Sequence, residues 1–304
     1  MMRSRFSLAA PINPIWAAGL FFFLTASAGA QESVSLHLTL GNPSQAVAHP
    51  AARNNYLVIH EEYCASFNVS SGCCNWVSWH LCADDIGGAD RGGLDFVRDD
   101  LLPEAFPKVT LQLYNGAGFD KGHGCPSKDR SKRAKSQRGT FRSTNLLAQA
   151  PKLNRGPWGQ HEDHRRQLAG QGKELYIIVG PAGRGGLGAK SFRQSLGRIE
   201  PRWMVANASD NGFDVPAWCW SACVILDEKE GNDLDRVTKK TATLAVIMPN
   251  TQTISGKWQD FQETIHDIEE LTGLDLFDLV EGDVQDAIEH APVVKFPQAL
   301  ESRR

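Results

Sequence analysis

Short apolar runs constrain the fold most strongly, because their lengths suit β-strands rather than helices. The strongest run, Glu174–Gly180, ends at a glycine-rich turn, and Asn75–Leu81 alternates like a half-buried strand. Apolar residues recur at helical spacing only from Phe261 to Leu271, where Thr264 can cap the helix and Gly273 can end it. Further strands are predicted at Tyr56–His60, Ser143–Gln149, Trp218–Leu226 and Ala242–Met248. The pattern predicts an α+β fold, with a central, mainly antiparallel sheet flanked by helices.

The N-terminus has the composition of an export signal. Arg3 and Arg5 precede Ile15–Ala30, a mostly apolar stretch that ends in small residues. That stretch is shorter than the roughly 20 residues a helix needs to cross a bilayer, so cleavage near Gln31 is favoured over a membrane anchor. The mature protein is then secreted or periplasmic and free of the membrane. We expect a signal peptide over residues 1–30 and one domain over 31–304, with its core at about 55–277 and a tail at 278–304.

The cysteines also suit an exported protein, because disulfides persist in oxidising compartments. Four of them lie close together, which favours a local disulfide framework: Cys64, Cys73, Cys74 and Cys82. A zinc site formed by these four and His80 is the alternative, although the spacing lacks two separated Cys-x-x-Cys pairs. The remaining three are Cys125, Cys219 and Cys223, and the odd total leaves a thiol unpaired or a homodimer bridged.

Charge is unevenly distributed along the chain. Between Lys121 and Arg142 there are eight Lys or Arg and one acid, whereas Asp260–Glu289 contains eleven Asp or Glu and no Lys or Arg. The basic segment can follow an anionic polymer without reading its bases, because contacts to phosphate carry no sequence information. A merely solvated loop is the alternative. The residues predicted to bind nucleic acid are Lys128, Arg130, Lys132, Arg133, Lys135 and Arg138.

His123 is the candidate catalytic base. It lies between Gly122 and Gly124, after an Asp-Lys pair, and the glycines leave room for a polymer backbone to approach. An imidazole titrates near neutral pH and can activate water. A lone histidine is more often structural, so the prediction depends on a second segment.

That second segment supplies ligands for a metal ion. Asn154, Glu162 and Arg166 lie eight and four residues apart, so one continuous helix would project them to one side. A single amide ligand would leave a hard cation such as Mg²⁺ mostly hydrated, with Glu162 accepting hydrogen bonds from its waters. The two segments together predict a site that hydrolyses phosphodiesters.

Both segments resemble motifs of the DNA/RNA non-specific endonucleases, within the ββα-metal or His-Me finger nuclease superfamily. The family's Asp-Arg-Gly-His-x-x-Pro-x-x-Asp-Arg motif appears as Asp120–Arg130, with Lys121 in place of the arginine. Its Ser-Asn…Asn-x-Gly-x-Trp…Glu motif appears over Thr144–Glu162. The similarity extends over roughly Asn55–Phe277.

The resemblance implies a ββα-metal finger and a role for each matching residue. His123 would activate water, and Asn154 would bind one Mg²⁺ or Mn²⁺. The metal-bound waters would be arranged by Glu162, Asn145 and Arg166. Arg91 and Lys121 would contact phosphate; because lysine lacks the bidentate fork of arginine, we expect weaker phosphate binding. Cys125, which the motif does not require, is expected in a structural disulfide or, alternatively, as a redox-sensitive latch.

The function implied is an exported endonuclease that cleaves DNA and RNA with little sequence specificity and leaves 5′-phosphate ends. A phosphodiesterase of the same fold with a narrower substrate is one alternative. A catalytically inactive nucleic-acid-binding module is the other, and the intact His123, Asn154 and Glu162 argue against it. The sequence leaves open an inhibitor protein and a homodimer.

Overall fold

The computed structural model describes residues 35–109, 111–189, 198–199 and 210–293. Its centre is a seven-stranded sheet in which every neighbouring pair is antiparallel. In spatial order the strands are β1 (Tyr56–Ile59), β2 (Cys64–Asn68), β3 (Cys73–Leu81), β7 (Lys173–Ala182), β11 (Trp218–Asp227), β12 (Ala242–Pro249) and β13 (Gln262–Glu263). The α+β prediction is confirmed, and the expected signal peptide lies outside the described residues.

Short strand pairs lie outside this sheet. They are formed by β4 (Lys108–Val109) with β9 (Asp210–Asn211), β5 (Asp120–His123) with β6 (Leu146–Gln149), and β8 (Arg198–Ile199) with β10 (Phe213–Asp214). The strand predicted at Ser143–Gln149 begins only at Leu146, because Ser143–Asn145 forms a 3₁₀ turn. Strand β2 was not predicted, because its sequence of cysteine, small and polar residues has no clear alternation of apolar and polar side chains.

The described helices are short except for one. They are α1 (Ala134–Gly139), α2 (Pro151–Asn154), α3 (Pro157–Gly170), α4 (Asp233–Arg236), α5 (Ile265–Thr272) and α6 (Gly282–Glu289). The predicted caps of α5 are confirmed: Thr264 accepts a hydrogen bond from the Asp267 amide, and Gly273 adopts the left-handed conformation, with φ of 71°. Within the described residues, no helix has the length and apolar character needed to cross a bilayer.

Both faces of the sheet are covered by apolar side chains. Trp79, Ile177 and Val179 pack with Trp158 of α3 on one face, and Trp220 packs with Ile268 of α5 on the other. The core also extends beyond the predicted 55–277. Additional buried residues at the two ends are Leu38, Leu40, Val280 and Ile288. The described residues therefore form three layers, and α3 packs on the same face of the sheet as the finger residues Leu147 and Leu153.

Candidate active site

The β5–β6 pair followed by α2 forms a β-β-α finger that carries His123 at the end of β5. The strands pair antiparallel, with His123 opposite Leu146 and Asp120 opposite Gln149. The imidazole is half-buried between Phe96 and Phe141, whose ring centroids lie 4.5 and 4.7 Å from its own. Its Nε2 atom is enclosed and has no hydrogen-bond partner among the described residues.

This environment keeps His123 uncharged. Burial, followed by the positive charge of Arg91, lowers the pKa of the imidazole to about 3. Arg91 is itself placed over the Phe141 ring, with Cζ 5.1 Å from the centroid. A neutral imidazole can accept a proton, and a bound phosphate anion would offset Arg91 and raise the pKa of His123. The site is therefore suited to a base that becomes stronger when substrate binds.

Asn145 fastens the loop that follows His123. Its Oδ1 accepts a hydrogen bond from the Cys125 amide at 2.7 Å, and its Nδ2 donates to the carbonyls of Cys125 and Thr140 at 2.9 and 2.8 Å. The side chain is fully buried. These hydrogen bonds give the Asn145 amide the task of positioning the finger, and its contact with metal-bound water stays a prediction.

The two glycines beside His123 serve packing rather than polymer approach. A Cβ atom at Gly122 would lie 2.1 Å from Oε1 of Gln149, and one at Gly124 would lie 2.6 Å from Cγ2 of Val77. Both positions face the protein interior, which corrects the expectation that they leave room for a polymer. Only a residue without a side chain lets β5 lie this close to β6 and β3.

Cys125 is a fully buried free thiol, and its Sγ donates to the Glu62 carbonyl at 3.8 Å. Burial raises the pKa of this thiol, so it is protonated and unreactive. All seven cysteines are free thiols in this structure. Neither the disulfide nor the redox latch expected at Cys125 is supported.

Asn154 lies on a different helix from Glu162. Asn154 is the last residue of α2, and the helical conformation is interrupted at Gly156 before α3 begins at Pro157. A Cβ at Gly156 would lie 2.3 Å from the Lys152 carbonyl oxygen, so only glycine fits this tight connection. The single-helix prediction is therefore wrong for Asn154, whereas Glu162 and Arg166 do share one helix at i,i+4 spacing.

The side chain of Asn154 is oriented by Asp120. Its Nδ2 donates to Asp120 Oδ2 at 3.0 Å, and Arg155 donates to both carboxylate oxygens at 2.8 and 2.7 Å. A carboxylate only accepts hydrogen bonds, so the Asn154 amide nitrogen must face it and Oδ1 must face away. Oδ1 is thereby presented as the oxygen that a hard cation requires.

Glu162 and Arg166 are the predicted site residues on α3. Arg166 Nη1 lies 2.6 Å from the fully buried Asp129, and its Nη2 lies 2.5 Å from Asp163 and 3.9 Å from Glu162. Burial raises the pKa of Glu162 to about 7, against the opposing effect of Arg166 and Arg165. Glu162 is thus a largely buried acid that ionises near neutral pH.

The two residues predicted to contact phosphate, Arg91 and Lys121, have different surroundings. Arg91 and Arg166 line one cavity of about 370 Å³, together with Lys128. Lys121 is instead engaged by Asp95, whose carboxylate oxygens lie 2.8 and 2.9 Å from its ammonium group. Asp95 was not foreseen as a partner, because nothing in the sequence marks one acid as the neighbour of a residue 26 positions away.

The predicted nucleic-acid-binding residues divide into two groups. Arg130 is 4% exposed, and its guanidinium donates to the carbonyls of Glu62, Asp129 and His80. This burial contradicts the expectation that Arg130 contacts phosphate. The other five remain exposed and able to contact an anion: Lys128, Lys132, Arg133, Lys135 and Arg138.

Two buried polar side chains of α3, Arg165 and His161, contact the sheet. Arg165 Nη1 donates to the Ser221 hydroxyl at 2.9 Å, and its guanidinium lies over the Trp79 ring at 5.3 Å from the centroid. His161 Nε2 lies 3.2 Å from the same hydroxyl. Sequence reasoning missed both residues, although they precede Glu162 and Arg166 by one position each and so occupy the adjoining face of the helix.

The residues present fit a single hydrated cation at Asn154. Its Oδ1 faces away from Asp120, and Glu162 is an acid whose proton is given up near pH 7. The described residues also contain three clusters of His, Cys or carboxylate groups, but none of them includes Asn154 or Glu162. A site with one amide ligand is therefore chemically distinct from those clusters.

The fold and the finger define the class of protein: a ββα-metal nuclease. The family profile described as DNA/RNA non-specific endonuclease matches residues 40–283, and the chain belongs to this family. It is 37% identical over 257 residues to a nuclease of Nostoc sp., covering 84% of this chain and 86% of that protein.

A second relative and a solved structure agree with this assignment. Nuclease C1 of Cunninghamella echinulata is 29% identical over 224 residues, which span 72% of this chain and 81% of the relative. The structure of the EndoG/EndoGI complex matches with a TM-score of 0.61 at 23% identity, covering 83% of this chain and 94% of the matched chain, and at that identity it supports the fold alone. The protein is accordingly an endonuclease, a hydrolase that acts on DNA and RNA, from a family that depends on divalent metal.

Proposed function

We propose that this endonuclease is exported and cleaves DNA and RNA through one hydrated Mg²⁺, with Mn²⁺ as a substitute, leaving 5′-phosphate ends. The observation that carries the proposal is the neutral, half-buried His123 on a finger whose Asn154 amide is oriented by Asp120. A base and a metal ligand on adjoining parts of one finger suit in-line attack of water on a phosphodiester.

In the proposed mechanism, the His123 imidazole takes the proton of the attacking water. Arg91 would bind the phosphate, and the bound anion would offset its positive charge, which is the second cause, after burial, of the lowered pKa of His123. Asn154 would hold the cation and Glu162 would order its bound waters; the cation would supply stabilisation of charge on the phosphate and the leaving oxygen. Asp120 and Asp129 keep Asn154 and Arg166 in position.

Export rests on the sequence of residues 1–30, with its positive start and small-residue end. The secreted or periplasmic location is tested by expressing the full chain and sequencing the N-terminus of the mature product. Cleavage near Gln31 is expected, and recovery of an intact N-terminus in the membrane fraction would contradict it.

The catalytic assignment is tested with plasmid DNA and with RNA. We expect His123→Ala to lower kcat by about 10²–10⁴-fold, the range typical of a general base. Asn154→Ala and EDTA should each abolish most cleavage, with Mg²⁺ restoring the EDTA-treated enzyme. His49→Ala replaces an exposed histidine elsewhere and should leave kcat unchanged.

Two outcomes would refute this mechanism. One is cleavage that persists in EDTA, and the other is full activity of His123→Ala or Asn154→Ala in a folded state. Activity on DNA but not RNA would instead favour the alternative of a phosphodiesterase with a narrower substrate.

A further inference from the structure

A second ligand cluster surrounds His80, at the end of β3. The residue is 7% exposed, and its Nε2 has no hydrogen-bond partner among the described residues. The backbone around the ring is fixed, because the His80 amide donates to His37 Nδ1 at 3.2 Å and its carbonyl accepts from Arg130 at 2.7 Å. A buried, unpartnered imidazole nitrogen on a rigid strand end calls for a ligand.

Cys82 and Asp85 complete a set of three potential metal ligands. A ring nitrogen of His80, the Cys82 Sγ and a carboxylate oxygen of Asp85 all lie within 4.8 Å of one another. Cys82 is half-buried rather than sealed in the core, and both His80 and Asp85 line a cavity of about 440 Å³. A metal ion can therefore reach the cluster from solvent.

We propose that His80, Cys82 and Asp85 form a second metal site, which takes a divalent transition metal of the zinc class and is separate from the site at Asn154. Imidazole, thiolate and carboxylate are the ligands that zinc prefers, whereas Mg²⁺ is held by oxygen. The cavity leaves a fourth position for water. The zinc alternative raised by the sequence thus survives in a smaller form, since Cys64, Cys73 and Cys74 do not join the cluster.

The surrounding charges favour this set over its neighbour. Asp85 Oδ2 accepts from the Cys82 amide at 3.0 Å and lies 3.3 Å from Arg130. A competing set links His80 with Glu174 and Asp233, but Arg236 Nη1 lies 2.7 Å from a carboxylate oxygen of each acid. The Arg236 guanidinium therefore neutralises both acids, and a metal ion would have to displace it. Arg130 weakens the proposed site less, because among the three metal-binding side chains it pairs only with Asp85, at 3.3 Å, and contacts His80 through the backbone carbonyl.

Cobalt(II) titration of the full-length protein, stripped of metal and kept reduced, tests the site. A thiolate bound to Co²⁺ gives a charge-transfer band in the near ultraviolet, which the amide-liganded site at Asn154 cannot produce. We expect one equivalent of Co²⁺ to give this band, Zn²⁺ to remove it, and excess Mg²⁺ to leave it. The band should also remain in Asn154→Ala, which separates this site from the proposed catalytic metal.

Matched variants identify the ligands. Cys82→Ser should abolish the band, whereas Cys64→Ala removes a cysteine outside the cluster and should retain it; circular dichroism establishes that each variant is folded. Asp85→Asn should weaken Co²⁺ binding at least tenfold, and Glu174→Gln should leave it unchanged. The proposal fails if the wild-type protein gives no charge-transfer band, if the band survives in Cys82→Ser, or if Glu174→Gln removes it.

Discussion

At the scale of single residues, Glu162 is a candidate catalytic residue whose burial is expected to reduce the stability of the fold. Its pKa is raised from an ordinary 4.5 to about 7 by burial. The folded protein therefore keeps this proton up to about pH 7, whereas the unfolded chain releases it near pH 4.5. The unfolding free energy falls as pH rises through this interval, because the unfolded state binds fewer protons there.

Glu162→Gln should therefore stabilise the metal-free protein while impairing catalysis. We expect the unfolding free energy at pH 8 to rise by about 1–3 kcal/mol, with no gain at pH 4, where the carboxyl is protonated in both states. Urea unfolding in EDTA at the two pH values measures this. A variant equally or less stable than wild type at pH 8 would show that burial does not control this acid.

The ion pair between Lys121 and Asp95 leads to a second prediction about single residues. The Asp95 carboxylate is 68% exposed and pairs with the Lys121 ammonium, so it would compete with a phosphate bound there. Asp95→Asn should lower KM by about 2–5-fold at low salt, the range expected for a surface ion pair, with little change in kcat. Lys121→Arg should also tighten binding, because the fork of arginine can hold Asp95 and phosphate together.

Asp100→Asn is the matched control, since Asp100 pairs with Arg142 at 2.7 Å and is similarly exposed at 71%. Its KM should match that of wild type. If Asp95→Asn leaves KM unchanged across salt concentrations, Lys121 does not contact the phosphate.

At the scale of elements, the finger is held by a small number of buried hydrogen bonds. Asn145→Ala would leave the Cys125 amide and the Cys125 and Thr140 carbonyls without their partner. We expect a loss of about 2–4 kcal/mol of unfolding free energy and a fall in kcat that exceeds the change in KM. Thermal unfolding and steady-state kinetics measure the two effects.

Asn115→Ala, at an exposed asparagine, is the control and should change neither quantity. A normal kcat in a destabilised Asn145→Ala would show that the finger keeps its geometry without this amide. In that case the positioning role assigned to Asn145 is wrong.

The elements also show what the sequence could and could not predict. Long strands such as β7 and β11 were predicted almost to their ends, because most of their residues are buried and the sequence is therefore largely apolar. The break between α2 and α3 was missed, because a glycine followed by proline can end one helix or begin the next. The roles of Asn154 and Glu162 thus stay predictions, while the single helix expected to join them is wrong.

At the same scale, residue type alone could not separate exposed basic residues from buried ones. Arg130 and Lys128 lie two positions apart in one basic segment, yet one is enclosed and the other is exposed. The difference depends on the carbonyls of Glu62, in the turn between β1 and β2, and of His80 on β3, which lie 68 and 50 positions before Arg130. Such long-range partners leave no periodic signal.

At the scale of the whole molecule, binding should depend on salt through the exposed basic residues. Replacing both Lys128 and Arg138 with alanine should reduce the slope of log K against log salt by about 1–2, because each phosphate contact contributes about 0.9. Arg130→Ala should leave the slope unchanged and instead lower the unfolding free energy by about 2–4 kcal/mol. Binding of an inactive His123→Ala protein to duplex DNA at several salt concentrations measures the slopes. An unchanged slope in the double variant would place the nucleic acid elsewhere.

The two adjoining faces of α3 have a consequence for adapting this enzyme to new polymers. Glu162 and Arg166 are the residues of this helix assigned to the candidate site, while His161 and Arg165, each one position earlier, contact the Ser221 hydroxyl in the sheet. A substitution that rotates or shifts this helix alters the core and the candidate site together, so few such substitutions would leave a folded and active enzyme. By contrast, the exposed side chains in the segments around Arg91 and Lys128 can be replaced without altering the core. Substrate preference is therefore expected to diversify through those segments, while α3 stays nearly fixed in any lineage or library selected for cleavage.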